Sequence, residues 1–157
     1  MWSLKKQLLS PHQLPIEGPW SVSVREDQVD GKVMIVRSNT GYREFRSVPG
    51  YEHQAGIAVP FRDPEPTGLP SPDEDAELGE LEATIRQSLQ EHAESLLVAI
   101  ITADGVREFV FYTRAPEQLK HRFEQLRNRF TSHEIQLMIQ LDKDWEIYAE
   151  LARPHSN

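Results

Sequence analysis

Residues 96–113 read LLVAIITADGVREFVFYT, and this stretch decides the fold. Residues 96–101 are continuously apolar, and with Thr102 they have the length of a buried strand. Ala103, Asp104 and Gly105 then supply a tight turn, so residues 106–113 are predicted to be the partner strand. The stretch therefore predicts a β-hairpin.

Helical patterns lie on both sides of this hairpin. Upstream, Ser71 can cap a first turn, Pro72 suits the first helical position, and Glu74 completes a capping box. Apolar residues then recur at helical spacing, namely Leu78, Leu81, Ile85 and Leu89. Downstream, Pro116 begins a second predicted helix with one apolar face. Two helices are therefore expected, one before the hairpin and one after it.

Alternating apolar residues add a strand at 53–62 and another at 135–141. From residue 53 the order is β-α-β-β-α-β, which predicts an α+β, ferredoxin-like sandwich with an antiparallel sheet. Right-handed crossovers would place both helices on one face of that sheet.

Further alternating runs extend this core. Residues 20–24 and 32–37, joined by turn residues, predict an N-terminal hairpin. Residues 145, 147, 149 and 151 alternate as Trp, Ile, Ala and Leu, which predicts a short C-terminal strand. The expected organisation is an arm at 1–17, a single domain at 18–152 and a tail at 153–157. Within the domain, 18–52 is the hairpin extension and 53–152 the ferredoxin-like core.

Composition narrows the classes of function. The 157 residues include no cysteine, which excludes disulfides, thiolate catalysis and cysteine-bound metals. No apolar run approaches the roughly 20 residues that span a bilayer, so no membrane contact and a cytoplasmic location are predicted. The net charge is −8, and residues 63–94 hold ten acidic side chains against Arg86 alone. Long-range repulsion of phosphates argues against nucleic acid as a partner.

Short motifs spread along the chain resemble a known family. They are Pro19-Trp20, Arg37, Gly56-Ile57-Ala58-Val59-Pro60, Gly68-Leu69-Pro70-Ser71, Leu81-Glu82, Arg107-Glu108-Phe109 with Tyr112, and Asp144-Trp145 with Tyr148. Over roughly residues 18–152 the sequence resembles the family called domain of unknown function 695. That family is mainly bacterial and has no established activity, cofactor or catalytic residue, so the resemblance implies none here. It is associated with the regulator B family of ribonuclease E, whose members are acidic, ferredoxin-like and bind protein.

Patterns typical of catalysis or cofactor binding are weak in this sequence. The histidines show no metal-ligand spacing, no serine has the context of a nucleophile elbow, and no glycine-rich phosphate loop occurs. Asp142, Asp144 and Glu146 form a small acidic cluster, but turn aspartates are usually there for geometry. No catalytic residue, metal or cofactor is therefore predicted.

Aromatic and arginine residues are the remaining candidates for binding. Arg25, Arg37, Arg43, Arg46 and Arg62 are the one basic concentration, and they would suit an anion or an acidic partner. The predicted binding residues are Trp20, Arg37, Arg62, Arg107, Phe109, Tyr112, Trp145 and Tyr148.

These features favour a non-enzymatic protein-binding or regulatory module that uses a sheet face or edge against another protein or against itself, as in a homodimer. The alternative is a small-molecule-binding protein or enzyme, with a pocket near the arginine-rich N-terminal half.

Overall fold

In the computed structural model, which describes residues 13–154, six strands and three α-helices follow one another along the chain. The strands are β1 (Trp20–Glu26), β2 (Val33–Asn39), β3 (His53–Pro60), β4 (Ser95–Ala103), β5 (Val106–Thr113) and β6 (Gln136–Leu141). The helices are α1 (Pro72–Leu89), α2 (Pro116–Arg129) and α3 (Glu146–Leu151), and 3₁₀ segments occupy Thr40–Glu44 and Glu91–Ala93.

The predicted central hairpin is confirmed as β4 and β5. Its two turn residues, Asp104 and Gly105, both have positive φ, at 52° and 80°. Two successive residues of this kind define a type I′ turn, whose twist matches that of the flanking strands. Side chains of both strands are buried on both faces of the sheet, so this hairpin is the centre of the packing.

The sheet is antiparallel throughout, and its strand order is β1-β2-β4-β5-β3-β6. The predicted N-terminal hairpin is β1 and β2, and β2 pairs with β4 so that the hairpin lengthens the sheet at that edge. The architecture is therefore α+β with a six-stranded open sheet, whose edges within the described residues are β1 and β6.

Helices α1 and α2 lie on one side of the sheet, here called the helix face. The side chain of Ser71 accepts a hydrogen bond from the Glu74 amide, and Pro72 occupies the first turn, so α1 begins where the capping pattern predicts. The apolar stripe of α1 packs against strand residues such as Ile57, Ile100 and Phe109 in the main core. Burial of these stripes is what holds both helices on the sheet.

The opposite side, here called the second face, has a core of its own. Leu96, Val98, Val110 and Tyr112 project from the central strands, and residues 42–51 together with α3 cover them. Leu14 also packs into this second core, although it falls in the predicted arm. The part of that arm at 1–12 and the part of the predicted tail at 155–157 lie outside the described residues.

The predicted C-terminal strand is wrong, because residues 146–151 form helix α3. The alternation of Trp145, Ile147 and Leu151 suggested a period of two. The buried residues of this segment are instead Trp145, Tyr148 and Ala152, whose spacing of three and four is helical. Asp142 stabilises the helix start, because its carboxylate accepts hydrogen bonds from the amides of Glu146 and Ile147, each at 3.0 Å.

Candidate functional site

Arg107, a predicted binding residue, lies on the helix face beneath α1. Its Nε donates a hydrogen bond to Thr102 Oγ1 at 2.9 Å, and its NH2 lies 3.2 Å from Asp75 Oδ1. The residue is 8% exposed, so these contacts satisfy a cation that is almost withdrawn from water.

Arg37 and Trp20 lie on the same face and are linked through α1. Arg37 NH2 is 2.6 Å from Glu82 Oε1, and the other oxygen of Glu82 accepts from Arg86 NH1 at 3.3 Å. The Arg86 guanidinium in turn lies over the Trp20 ring, 5.1 Å from its centroid. The guanidinium groups of Arg37 and Arg86 both have partners. Their contacts therefore hold α1 against the hairpin extension.

Arg62 follows the end of β3 and pairs with Glu77 of α1 at 2.6 Å. Its backbone amide donates to Glu74 Oε2 at 2.6 Å, and the Asp63 amide donates to Glu74 Oε1 at 3.0 Å. Nε2 of the buried His133 lies 2.6 Å from the same carboxylate. Burial raises the pKa of Glu74, but these hydrogen bonds outweigh it, so the net pKa lies below its ordinary value.

Ser132, His133 and Glu74 are connected in the order of a catalytic triad. Ser132 Oγ lies 3.1 Å from His133 Nδ1. The His133 side chain is 0% exposed, however, and a general base must reach the proton that it transfers. We therefore interpret this cluster as a structural hydrogen-bond network that joins the start of α1 to the segment before β6.

The four predicted aromatic residues other than Trp20 are buried. Phe109 belongs to the main core, and Tyr112, Trp145 and Tyr148 belong to the second core. Trp145 Nε1 donates to the Tyr51 carbonyl at 2.8 Å, and the Tyr148 hydroxyl donates to the Asn39 carbonyl at 2.5 Å. Burial raises the pKa of Tyr148 to about 12. In this conformation the rings offer no surface to a partner, and they support the fold beneath the second face.

A groove on the second face is the best candidate for a binding site. It runs beside β1, has a volume of about 610 Å³, and its other wall is the end of α3 with the residues that follow. We call it the serine–arginine groove after its polar lining, which consists of Ser21, Ser23, Ser38, Arg25, Arg43 and Arg153.

Local contacts position two of the groove's arginines. Arg43 projects from the 3₁₀ segment after β2, and its Nε donates to the Ala152 carbonyl at 2.8 Å. Arg153 follows α3 and pairs at 2.7 Å with Glu150, in a pair exposed to solvent. Within residues 13–154 no carboxylate pairs with Arg43. Three guanidinium groups and three hydroxyls thus line this groove in a protein with a net charge of −8, which suits an anionic ligand.

Strand β1 forms both the floor of this groove and an edge of the sheet. It pairs with β2 on one side only, and no other described strand covers its outer side. Val22 and Val24 are 61% and 62% exposed. Residues 20–24 of this strand include no proline and no charged side chain, the features that commonly protect an edge from pairing with another chain. The outer amides and carbonyls of β1 can therefore accept a further strand.

Sequence reasoning found only part of this groove. Arg25 and Arg43 belong to the basic concentration noted above, but Arg153 lies 110 residues beyond Arg43 and only the fold brings them together. Serines that alternate with valines in a strand carry no distinct signal. The arginines singled out by the motifs, Arg37 and Arg107, lie on the helix face instead.

Metal chemistry has no support among the described residues, because none of their histidine and carboxylate groups cluster in threes that could hold an ion. Nor is any helix of residues 13–154 both long and apolar enough to cross a membrane.

The family comparison covers nearly the whole described chain. The sequence model of a family described as "Family of unknown function (DUF695)" matches residues 20–151. The chain belongs to this family. The DUF695 match begins at the first residue of β1 and ends at the last residue of α3, so the hairpin extension and α3 both lie within the matched region. No curated protein and no solved structure matches the chain significantly.

Proposed function

We propose that this chain is a non-enzymatic binding module that takes up an extended, acidic segment of another protein along β1. The observation that carries the proposal is the unprotected edge. A seven-residue strand spans about 23 Å, and no other strand of residues 13–154 pairs with the amide and carbonyl groups on its outer side. Addition of a strand to an exposed edge is a common mode of peptide recognition, in which backbone hydrogen bonds supply affinity and side-chain pockets supply specificity.

The two sides of β1 would select the side chains of the incoming segment. On the helix face, Val22 and Val24 offer apolar surface. On the second face, the serine–arginine groove offers Arg25, Arg43 and Arg153. Successive residues of a strand point to opposite faces, so a segment that alternates apolar and acidic residues would satisfy both sides.

Two synthetic peptides test this proposal. One is a capped heptapeptide of alternating glutamate and valine, and the other has lysine in place of glutamate. We expect the glutamate peptide to shift the backbone amide signals of β1 and the Nε signal of Arg43 in NMR titrations. We expect its affinity to fall as salt is raised, because the guanidinium–carboxylate attraction is screened. We expect the lysine peptide to cause no such shifts.

Matched variants locate the site. Val24→Asp puts a negative charge on the β1 edge, which repels the glutamate side chains, and Arg43→Gln removes a positive charge from the groove. Each is expected to weaken binding of the glutamate peptide. Leu141→Asp changes β6, whose residue 141 is also 60% exposed, and is expected to leave binding unchanged. Equal binding of both peptides, or loss of binding only in Leu141→Asp, would contradict the proposal.

A small anionic ligand is the second candidate, and the volume and arginine lining of the groove favour it. Its probe is inorganic phosphate. Saturable shifts at Arg25, Arg43 and Arg153 that leave the amides of β1 unmoved would support this alternative over strand addition. A second copy of the chain could also pair through β1, and a solution mass above 18.1 kDa that falls in Val24→Lys would identify that homodimer.

We also propose that residues 53–141 are a ferredoxin-like unit. Their strands are ordered β4-β5-β3-β6, and α1 and α2 each connect two of these strands while both pack into the main core, which supports this description. The relation to the regulator B family, the bacterial origin and the cytoplasmic location stay predictions.

A further inference from the structure

A cleft of about 430 Å³ lies on the helix face, between α1 and the strands beside it. Its floor includes a row of three residues from adjacent strands. Ile35 of β2 pairs with Thr102 of β4, and Thr102 pairs with Arg107 of β5. Side chains of residues that pair directly across neighbouring strands lie next to each other on one face. The floor therefore presents an apolar surface, a hydroxyl and a guanidinium in that order.

The helix wall of the cleft is widened by a glycine. Asp75, Gly79 and Glu82 line this wall, and their spacing of four and three places them on one stripe of α1. A Cβ on Gly79 would have no atom within 4 Å, so the space beside it is open. Glycine is less favourable than alanine inside a helix. Residue 79 therefore leaves room in the cleft, although a larger side chain would stabilise α1.

Arg107 has a donor group that the fold leaves unused. Its Nε and NH2 contact Thr102 and Asp75, but within residues 13–154 no group accepts a hydrogen bond from its NH1. NH1 is not sealed in the core, because the Tyr42 hydroxyl is the one sealed side-chain polar atom of that range without a partner. Arg107 lines the cleft, so its accessible NH1 faces this space. A guanidinium whose side chain is only 10% exposed is little screened by water, so it binds a carboxylate strongly.

The charges that line the cleft cancel one another. Arg107 pairs with Asp75 at 3.2 Å, and Arg37 pairs with Glu82 at 2.6 Å. Both oxygens of Glu82 accept hydrogen bonds from arginines, whereas Asp75 Oδ2 accepts none from the residues described. Equal numbers of opposite charges favour a ligand that carries one charge of each sign over a simple anion or cation. The cleft thus offers one unused cationic donor and one unused anionic acceptor.

We propose that the cleft binds a small zwitterion, namely a free α-amino acid with an apolar side chain. The carboxylate of the ligand accepts hydrogen bonds from Arg107 NH1, and its ammonium group donates to Asp75 Oδ2. The two charged groups of an α-amino acid are attached to the same carbon, which matches a guanidinium and a carboxylate that are already in contact. The apolar side chain lies against Ile35, in the space beside Gly79.

This site does not depend on the function proposed for β1. The cleft lies on the helix face, whereas the serine–arginine groove lies on the second face, and the two share no lining residue. The outer side of β1 is also remote from the cleft, because β2 lies between β1 and β4. Binding of an amino acid in the cleft and addition of a strand at β1 can therefore occur independently.

The test uses L-leucine as the probe, with 4-methylpentanoate and 3-methylbutylamine as analogues that each lack one of its charged groups. Arginine Nε signals and backbone amide signals of the ¹⁵N-labelled whole chain are followed at constant pH and ionic strength. We expect leucine to shift the Arg107 Nε and Gly79 amide signals saturably. We expect each analogue to bind about tenfold more weakly, because a hydrogen bond between charged groups is lost. The Nε signal of Arg153 is expected to stay still.

Two variants and a control locate the site. Gly79→Leu fills the cleft from the helix side, so we expect an unfolding midpoint level with or above that of wild type and no saturable response to leucine. Asp75→Asn removes the partner of the ammonium group and is expected to weaken leucine binding about tenfold. Glu80→Gln makes the same change of charge at an exposed position of α1 and is expected to leave binding unchanged.

Four outcomes would overturn the proposal. They are the absence of a saturable response to leucine in wild type, equal binding of leucine and 4-methylpentanoate, an unchanged response in Gly79→Leu, and an equal loss of binding in Glu80→Gln and Asp75→Asn. Arg43→Gln is expected to keep the leucine response, and Gly79→Leu is expected to keep binding of the glutamate peptide. The cleft and the function proposed for β1 can therefore fail separately.

Discussion

Trp145 stacks on Tyr112, with ring centroids 4.1 Å apart and ring planes inclined by 12°. Trp145 has a backbone φ of 55°, in the left-handed region that costs a residue with a side chain about 1–2 kcal/mol. Its indole is fully buried and also contacts the rings of Tyr42 and Tyr148. The stacked and buried ring offsets the strained backbone, and together they set the angle at which α3 lies on the sheet.

Replacement of Trp145 should therefore destabilise the domain strongly. Loss of a buried tryptophan typically costs about 3–5 kcal/mol, and we expect Trp145→Ala to fall in this range. Trp145→Phe keeps a ring on Tyr112 but loses the hydrogen bond to the Tyr51 carbonyl, so its loss should be smaller. Urea denaturation followed by far-ultraviolet circular dichroism measures both. Equal stability of Trp145→Ala and wild type would show that the stack does not hold α3.

Tyr42 and Tyr148 should respond in opposite directions to removal of their hydroxyls. The Tyr42 hydroxyl is buried and finds no hydrogen-bond partner among residues 13–154, so Tyr42→Phe should gain stability. The Tyr148 hydroxyl donates to the Asn39 carbonyl, so Tyr148→Phe should lose about 1 kcal/mol. Parallel thermal melts of the two variants test the pair. A loss in Tyr42→Phe would mean that its hydroxyl is satisfied in solution.

Ionisation of Glu74 should make the free energy of unfolding depend on pH in the acidic range. Its pKa in the fold is lowered, because hydrogen bonds from Arg62, His133 and Asp63 outweigh the effect of burial. A lowered pKa gives stability that is present above the unfolded pKa, near 4.5, and is lost as pH falls through the folded value. We expect the free energy of unfolding of the wild type to fall below about pH 4.5, and Glu74→Gln to show a shallower fall.

The exposed Glu77 supplies the control for this pH effect. Glu77→Gln leaves the buried carboxylate in place, so its pH profile should follow the wild type more closely. If the free energies of unfolding of Glu74→Gln and wild type fall identically as pH is lowered, the acid sensitivity comes from another group.

Two glycines should give opposite results when they are changed to alanine. Gly79 lies within α1 and has open space where a Cβ would be, so Gly79→Ala should stabilise the domain by up to about 1 kcal/mol. Gly105 holds the positive φ of the β4–β5 turn, so Gly105→Ala should cost about 1–2 kcal/mol. Denaturant unfolding measures both changes in stability, from the shift of the midpoint between proteins that share the same m-value. The same sign for both variants would contradict the account of the turn.

The sequence could predict those elements whose signals are local. The Asp104–Gly105 turn and the Ser71 cap are each encoded within a few neighbouring residues, and the structure has both. Helix α3 could not be predicted in this way. It begins at a left-handed tryptophan, a conformation whose cost is offset by burial of the indole and its stack on Tyr112, and five apolar residues in seven fit either period.

The candidate sites depend on longer-range relationships. The motifs drew attention to Arg37 and Arg107, but their carboxylate partners on α1 are visible only after folding. Arg153 reaches the groove because Arg43 is bound to the Ala152 carbonyl, a contact between residues far apart in the chain.

Helix α3 is the last element in the order of the described strands and helices, and this determines which surface is exposed while the chain is being synthesised. All six strands leave the ribosome before α3, so the nascent sheet first exists with its second face covered by residues 42–51 but not by α3. Until residues 145–152 emerge and Trp145 reaches Tyr112, a chaperone can bind the apolar side chains of the second core. A premature stop codon just before Trp145 would therefore leave a product with all its strands, which quality control would recognise by the apolar surface that α3 normally covers.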